Sequence, residues 1–102
     1  MIKKISDFDN QVLKNSKLTL VDFYADWCGP CRAQTPILDN LSNEYDWFDV
    51  MSLDVDTNQE QAFKYGIQSI PTILIFKEGK PVKTIIGLTG IENIIKILED
   101  FK

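Results

Sequence analysis

The sequence contains no histidine and only two cysteines among its 102 residues, and this scarcity limits how the chain can use metals. A structural zinc site needs about four ligands, which come mainly from cysteine and histidine side chains. Two sulfur ligands without an imidazole cannot complete such a site. We therefore expect no metal centre in this protein.

Long apolar runs and an excess of positive charge are also missing. No apolar run is long enough to span a bilayer, and no long apolar segment of the signal-peptide kind follows Lys3 and Lys4. The 15 acidic and 11 basic residues give a net charge of −4, which argues against nucleic acid or an anionic membrane as a partner. Because no export signal is visible, we expect a cytoplasmic protein. In a reducing cytoplasm, a cysteine pair is more often catalytic than structural.

The length of the chain limits its domain organisation. A sequence of 102 residues can build one hydrophobic core but is too short for two. We therefore expect one domain over residues 1–102. A monomer is the default expectation for a domain of this size.

Both cysteines lie in one short stretch, residues 25–32, between an apolar segment typical of a buried strand and a segment typical of a helix. If the helix begins near Cys28, then Cys31 lies three residues further along the same face, and the two sulfurs can bond. Free N–H groups at the helix N-terminus favour a thiolate at Cys28. Pro30 suits a first turn because it has no N–H to leave unpaired. Gly29 lets another backbone approach the sulfur because it has no Cβ.

Other interpretations of the cysteine pair are weaker than a redox role. A structural crosslink over so few residues would constrain the unfolded chain very little. Two inert buried thiols remain an alternative, although they would leave Gly29 and Pro30 without a purpose. The pattern favours exposed Cys28 as the attacking thiolate and Cys31 as the more buried thiol, which resolves a mixed disulfide.

Strand and helix patterns alternate along the chain and predict an α/β fold of order βαβαβαββα, with a central mixed sheet flanked by helices. The predicted strands cover about residues 2–5, 18–25, 50–55, 72–76 and 82–86. The predicted helices cover about residues 7–15, 28–45, 56–65 and 91–101. Pro36 should kink the second helix. The last two strands should form an antiparallel hairpin across residues 77–81.

Three stretches of the chain together carry a family resemblance: residues 21–32, Val-Asp-Phe-Tyr-Ala-Asp-Trp-Cys-Gly-Pro-Cys-Arg, and the later residues 65–72 and 76–79. The first resembles the active-site stretch of the thioredoxin family, and the other two resemble the later signatures of that family. Trp-Cys-Gly-Pro-Cys followed by an Ile-Pro-Thr strand start is highly specific, and the resemblance covers nearly the whole chain. It implies the thioredoxin fold and a general protein-disulfide reductase. Its partners would be disulfide-containing substrate proteins and a thioredoxin reductase that uses NADPH.

No bound cofactor is expected apart from the redox-active disulfide of Cys28 and Cys31. The chain has no nucleotide-binding Gly-rich loop. Any nicotinamide chemistry would therefore belong to the partner reductase.

Asp22 interrupts the otherwise apolar central strand. Burial of an unpaired carboxylate is costly and would raise its pKa into the range useful for proton transfer. A salt-bridged or solvated carboxylate at the sheet margin is the alternative that the sequence leaves open. The resemblance implies a buried acid that serves the second cysteine. This chain has Ser52 where many members have a lysine near that acid, so the pKa of Asp22 is expected to be higher still.

The resemblance also implies a shallow apolar surface for the substrate chain around Cys28, formed by Trp27, Gly29, Pro30, Ile70, Pro71 and Gly87. X–Pro bonds in folded proteins are mostly trans, whereas the resemblance implies a cis Ile70–Pro71 bond that faces the dithiol. Gly87 either lets the substrate chain pass or marks a bulge or strand end. Trp27 belongs either to the core or to an interface.

Two other functions are compatible with the cysteine pair. A thiol oxidase or isomerase usually has a histidine between its cysteines, and the Gly29-Pro30 dipeptide argues against that role. A binding subunit would use the apolar surface to hold a partner without redox turnover. Replacing both cysteines by serine separates the two functions, because binding to the partner would survive and reductase activity would be lost.

Overall fold

The computed structural model describes residues 1–102 and contains five strands, three α-helices and one π-helical turn. The strands are β1 (Lys3–Lys4), β2 (Leu18–Tyr24), β3 (Phe48–Asp54), β4 (Thr72–Lys77) and β5 (Lys80–Ile86). The helices are α1 (Gly29–Glu44), α2 (Gln59–Lys64) and α3 (Ile91–Glu99), and the π-helical turn spans Asp9–Leu13. None of the helices is both long and apolar enough to cross a membrane. The predicted order of elements and the mixed α/β fold are confirmed.

Strand β2 lies at the centre of one sheet with the order β1-β3-β2-β4-β5. It pairs in parallel with β3 and antiparallel with β4, and β4 pairs antiparallel with β5. Six of its seven residues are buried, because helices cover both faces of a parallel βαβ unit. The chain therefore leaves β2 from the middle of the sheet and enters the cysteine stretch there.

Alternation along β2 sends its side chains into two separate cores. Leu18 and Leu20 pack into a cluster with Leu38 of α1 and Ile94 of α3. The intervening residues Val21 and Phe23 pack into a second cluster on the opposite face.

By the same alternation, Asp22 points to the face that α1 covers. Asp22 pairs in register with Ser52 of β3, so these two side chains share that face. The sheet therefore places the only acidic side chain of β2 on the side of the helix that carries Cys31.

Two local predictions are wrong in detail. The hairpin link is the dipeptide Glu78-Gly79, with φ of 52° and 78°, and not the five residues 77–81. Positive φ at both positions matches the twist of the flanking strands, and a Cβ at Gly79 would collide with the carbonyl oxygen of Leu13. Pro81 consequently belongs to β5, an edge strand that tolerates a residue without an N–H.

The first predicted helix is also shorter than expected and is a π-helical turn, Asp9–Leu13. Asp7 still accepts a hydrogen bond from the backbone N–H of Asn10, at 3.3 Å, as a capping residue would. Pro36 lies inside α1, and the kink there stays a prediction.

Candidate functional site

Cys28 and Cys31 form a disulfide across the first turn of α1, with their Cα atoms 5.3 Å apart. Cys28 is the N-cap residue, and the backbone N–H of Cys31 donates to its Sγ at 3.2 Å. Pro30 occupies the second helical position, where its missing N–H leaves nothing unpaired. A thiolate at Cys28 would accept a hydrogen bond from that N–H and would be stabilised by the positive end of the helix dipole.

The expectation that Cys28 is exposed is wrong for this disulfide form. Cys28 is 5% exposed and Cys31 is 2% exposed, so Cys31 is the more buried residue by only a small margin. The reason is local packing, because the two sulfurs cover each other and Ile70 packs against the pair. The Sγ atom of Cys28 lies 3.8 Å from the carbonyl oxygen of Ile70.

Asp22 is 2% exposed, and its Oδ1 atom has no hydrogen-bond partner. Burial alone raises the pKa of this carboxyl group from 3.8 to about 7, and no neighbouring cation lowers it. Asp22 lies on the central strand, is buried and makes no ion pair, so the alternative of a salt-bridged or solvated carboxylate at the sheet margin is wrong. The carboxyl group can hold or release a proton near neutral pH.

Two adjoining surface depressions connect the surroundings of Asp22 with those of Cys31. One has a volume of about 210 Å³ and is lined by Asp22, and the other has a volume of about 140 Å³ and is lined by Cys31. Tyr24, Asp26 and Thr35 line both. A depression of this size holds water, so water has room between the carboxyl group and the inner cysteine.

The Ile70–Pro71 peptide bond is cis. The family resemblance implies this isomer, whereas the general preference of X–Pro bonds favours trans. The carbonyl oxygen of Pro71 accepts a hydrogen bond from the N–H of Gly87 at 2.9 Å. Gly87 directly follows β5 and has φ of 87°, so it does mark a strand end. A Cβ there would meet no atom within 4 Å, so the space beside it is open.

Trp27 is not a core residue. It is 69% exposed, and its indole Nε1–H donates to the Oδ2 atom of Asp56 at 2.9 Å. Trp27 and Ile70 both line a groove of about 200 Å³, whose other lining residues are Val55, Ala62, Ile67, Gln68 and Ser69. The groove is mostly apolar and adjoins the disulfide through Ile70.

The largest surface depression, about 500 Å³, lies elsewhere, between the end of α1 and helix α3. Its lining includes Glu44, Tyr45, Ile91 and Glu92 but no cysteine. Size does not identify the site here. A disulfide that exchanges with a protein chain needs a surface beside it on which that chain can lie. The smaller groove adjoins the disulfide through Ile70 and is therefore the better candidate.

Sequence reasoning missed two side chains that shape the site, Gln34 and Asp56. Gln34 is fully buried on α1 at a position where the neighbouring inward residues Cys31, Leu38 and Leu41 are apolar or sulfur-containing. A polar residue within that periodic set is a signal that the sequence does carry. Asp56 gives no such signal, since the folding of the chain alone brings it to Trp27.

No group of three or more cysteine, aspartate or glutamate side chains is arranged to hold a metal ion.

Comparisons with known proteins agree with this geometry. The family model described as Thioredoxin matches residues 1–100. The chain is 44% identical over 95 residues to a thioredoxin of Staphylococcus epidermidis, an alignment that covers 92% of this chain and 89% of that relative. It is 43% identical, with the same coverage, to a thioredoxin of Staphylococcus aureus.

Proposed function

This chain belongs to the thioredoxin family, and we propose the residue-level course of its reaction and the partners it serves. The protein is a disulfide oxidoreductase that exchanges its Cys28–Cys31 pair with disulfides of other proteins. Like other thioredoxins it uses this redox-active disulfide and no bound cofactor. Its proposed direction is reduction of the substrate protein.

In the first proposed step, the Cys28 thiolate attacks one sulfur of a substrate disulfide. A new disulfide bond joins Cys28 to the substrate, and the other substrate sulfur leaves as a thiolate that takes up a proton. The N–H of Cys31, 3.2 Å from the Cys28 Sγ atom, supports this role because it stabilises negative charge on that sulfur.

In the second proposed step, Cys31 attacks the Sγ atom of Cys28. The Cys31 thiol first gives its proton, through water, to the Asp22 carboxylate, which acts as the base. The two adjoining depressions lined by Asp22 and by Cys31 support this role, because they leave room for that water. The substrate cysteine then leaves as a thiolate. The substrate has gained two electrons, and this protein holds the Cys28–Cys31 disulfide.

We further propose that the substrate chain lies across Trp27, Gly29, Pro30, Ile70, Pro71 and Gly87. The exposure of Trp27, the open space beside Gly29 and Gly87, and the position of the Ile70 carbonyl group near Cys28 support this surface. The Ile70 backbone lies beside the dithiol, where an extended peptide can pair with it.

The remaining proposals concern the setting of the reaction. We propose that residues 1–102 act as one domain and a monomer in the cytoplasm, and that an NADPH-dependent thioredoxin reductase returns the disulfide to the dithiol. Family membership supports a reductase and disulfide-containing substrate proteins as partners in general. A reducing compartment suits a protein that must be dithiol to react.

The disulfide in the first turn of α1, beside the buried and unpartnered Asp22, carries this proposal. Its test is the variant Cys31→Ser incubated with insulin as a disulfide substrate. A mixed disulfide through Cys28 should accumulate, and turnover should cease, because no second thiol can release the substrate. The matched variant Cys28→Ser should form no mixed disulfide. Equal trapping by both variants would contradict the assigned order of attack.

The direction of the reaction is tested by the redox equilibrium of Cys28 and Cys31 in defined glutathione buffers, followed by Trp27 fluorescence. A reductase requires a potential below that of the cytosolic glutathione pool. A potential well above it would instead indicate an oxidase or isomerase. If no disulfide forms, the binding-subunit interpretation replaces both.

A further inference from the structure

Gln34 is a fully buried amide that bonds twice to a single residue of a distant loop. Its Nε2–H donates to the carbonyl oxygen of Thr89 at 2.9 Å, and its Oε1 accepts from the N–H of Thr89 at 2.9 Å. The two residues are 55 positions apart in the chain. The side chain therefore pairs with the loop backbone as a neighbouring strand would.

The hydrogen bonds continue from Thr89 to the proposed substrate surface. The Thr89 hydroxyl group donates to the carbonyl oxygen of Gly87 at 3.1 Å, and the N–H of Gly87 donates to the carbonyl oxygen of Pro71 at 2.9 Å. The preceding carbonyl group, that of Ile70, is the one 3.8 Å from the Cys28 Sγ atom. A continuous chain of contacts thus joins α1, the loop 87–90 and the cis-proline loop.

An amide at this position is not needed to fill the core. The neighbouring inward positions of α1, Cys31, Leu38 and Leu41, are occupied by apolar or sulfur-containing side chains. A leucine of similar volume would bury more apolar area without polar atoms to satisfy. The amide instead satisfies both main-chain groups of Thr89, which lies between β5 and α3 and has no strand partner.

We propose that Gln34 is a positioning residue that holds the loop 87–90 against the active-site helix and so positions Gly87 and Pro71, two residues of the proposed substrate surface. The proposal rests on the proposed function of this surface. Gln34 acts on the part of the substrate that extends beyond the disulfide, because its contacts reach Gly87 and Pro71 and not the sulfur atoms. Its effect should therefore depend on whether the substrate is a protein or a small disulfide.

The test compares the wild type with Gln34→Leu in the reduction of insulin and of cystine. We expect kcat/KM for insulin to fall roughly tenfold, mostly through a higher KM, because the loop 87–90 loses the two hydrogen bonds that Gln34 makes to it. The rate with cystine should be unchanged, since cystine does not reach the loop. An equal loss with both substrates, or no loss with either, would overturn the proposal.

Two further variants separate positioning from simple destabilisation. Thr19→Val removes a buried hydroxyl group that donates to the Lys17 carbonyl oxygen at 3.0 Å, far from the dithiol along β2, and should change neither rate. Thr89→Val keeps the backbone bonds to Gln34 but breaks the link to Gly87, and should weaken insulin reduction alone by a smaller factor. If Gln34→Leu does not fold, Gln34→Met, which is close to glutamine in shape and also lacks the amide, decides the question by the same two rates.

Failure of the proposed function gives a different result. A wild type that reduces neither insulin nor cystine would refute the reductase and this inference with it. A wild type that reduces both, with variants that keep the same ratio of the two rates, would refute only the role of Gln34.

Discussion

Two polar side chains are buried beside the dithiol, Asp22 on β2 and Gln34 on α1, and their surroundings differ in one respect. Both are at most 2% exposed. The amide of Gln34 makes two hydrogen bonds to Thr89, whereas Oδ1 of Asp22 makes none. The difference follows from position, because Asp22 lies within a sheet whose strands pair with each other on both sides of β2, whereas Thr89 lies in a loop outside the sheet.

The comparison separates two uses of a buried polar group. A group with all its partners fixes the position of what it touches, since leaving either partner unpaired is costly. A carboxyl group without partners destabilises the fold when ionised, but its pKa then lies where a proton can be exchanged at neutral pH. Gln34 accordingly serves geometry in our proposals, and Asp22 serves proton transfer.

The largest expected effect is on stability. Asp22→Asn should stabilise the oxidised protein by about 4 kcal/mol above pH 7, because a pKa raised from 3.8 to about 7 reports a penalty of that order on the ionised carboxylate. The folded wild type keeps its proton between pH 4 and 7 while the unfolded chain loses it, so wild-type stability falls as pH rises through this window. Urea unfolding at pH 4 to 9 measures the difference.

That difference should be near zero at pH 4, grow through the window and level off above pH 7. If Asp22→Asn instead raised the free energy of unfolding by the same amount at every pH, the pKa of Asp22 would not be raised by burial in the folded protein. The contrast with Gln34 would then disappear.

The next effect is kinetic. Asp22→Asn should slow the attack of Cys31 on the mixed disulfide roughly 100-fold near neutral pH, the lower range of general-base contributions. Single-turnover reduction of insulin, followed by Trp27 fluorescence, measures this step. The first attack is isolated in the Cys31→Ser variant, which cannot complete the second step. Adding Asp22→Asn to that variant should leave the rate of attack by Cys28 unchanged. A slowed first attack would show that Asp22 acts on Cys28 instead.

A smaller effect of opposite sign is expected at Gln34. Gln34→Leu should destabilise the protein by about 1–3 kcal/mol, because the N–H and carbonyl groups of Thr89 lose their partner. This loss should be constant from pH 4 to 9, since neither residue ionises. Urea unfolding over the same pH series provides the measurement, and a pH-dependent loss would contradict the assignment of Gln34 to a purely geometric role.

Much of this comparison was accessible from the sequence, but not all of it. Asp22 stood out because a charged residue interrupted an apolar strand, but the residues alone left its burial open, and it was the family resemblance that implied a buried acid. The elements were predicted to within a few residues, because each had a strong apolar pattern. Gln34 was missed because its role depends on Thr89, and no local rule brings together residues 55 positions apart.

The errors have local physical causes. The two-residue hairpin requires a positive φ at Glu78. Glutamate rarely adopts that conformation, so the residue type gave no sign of it and a longer link was predicted. The exposure of Cys28 was overestimated, because packing by Ile70 is a tertiary contact. Residue type suggested the chemistry of the site, whereas access to it depended on long-range packing.

The smallest expected effect concerns Ser52, which faces Asp22 from β3. Ser52→Lys would bring an ammonium group to the depression of about 210 Å³ that Asp22 lines, and should lower the pKa of Asp22 by about one unit. The midpoint of the stability loss with pH should move down by the same amount, while the uncharged control Ser52→Met should leave it in place. Equal midpoints in the two variants would mean that an ammonium group at this position of β3 does not act on the Asp22 carboxyl group, and that the serine has no part in setting its pKa.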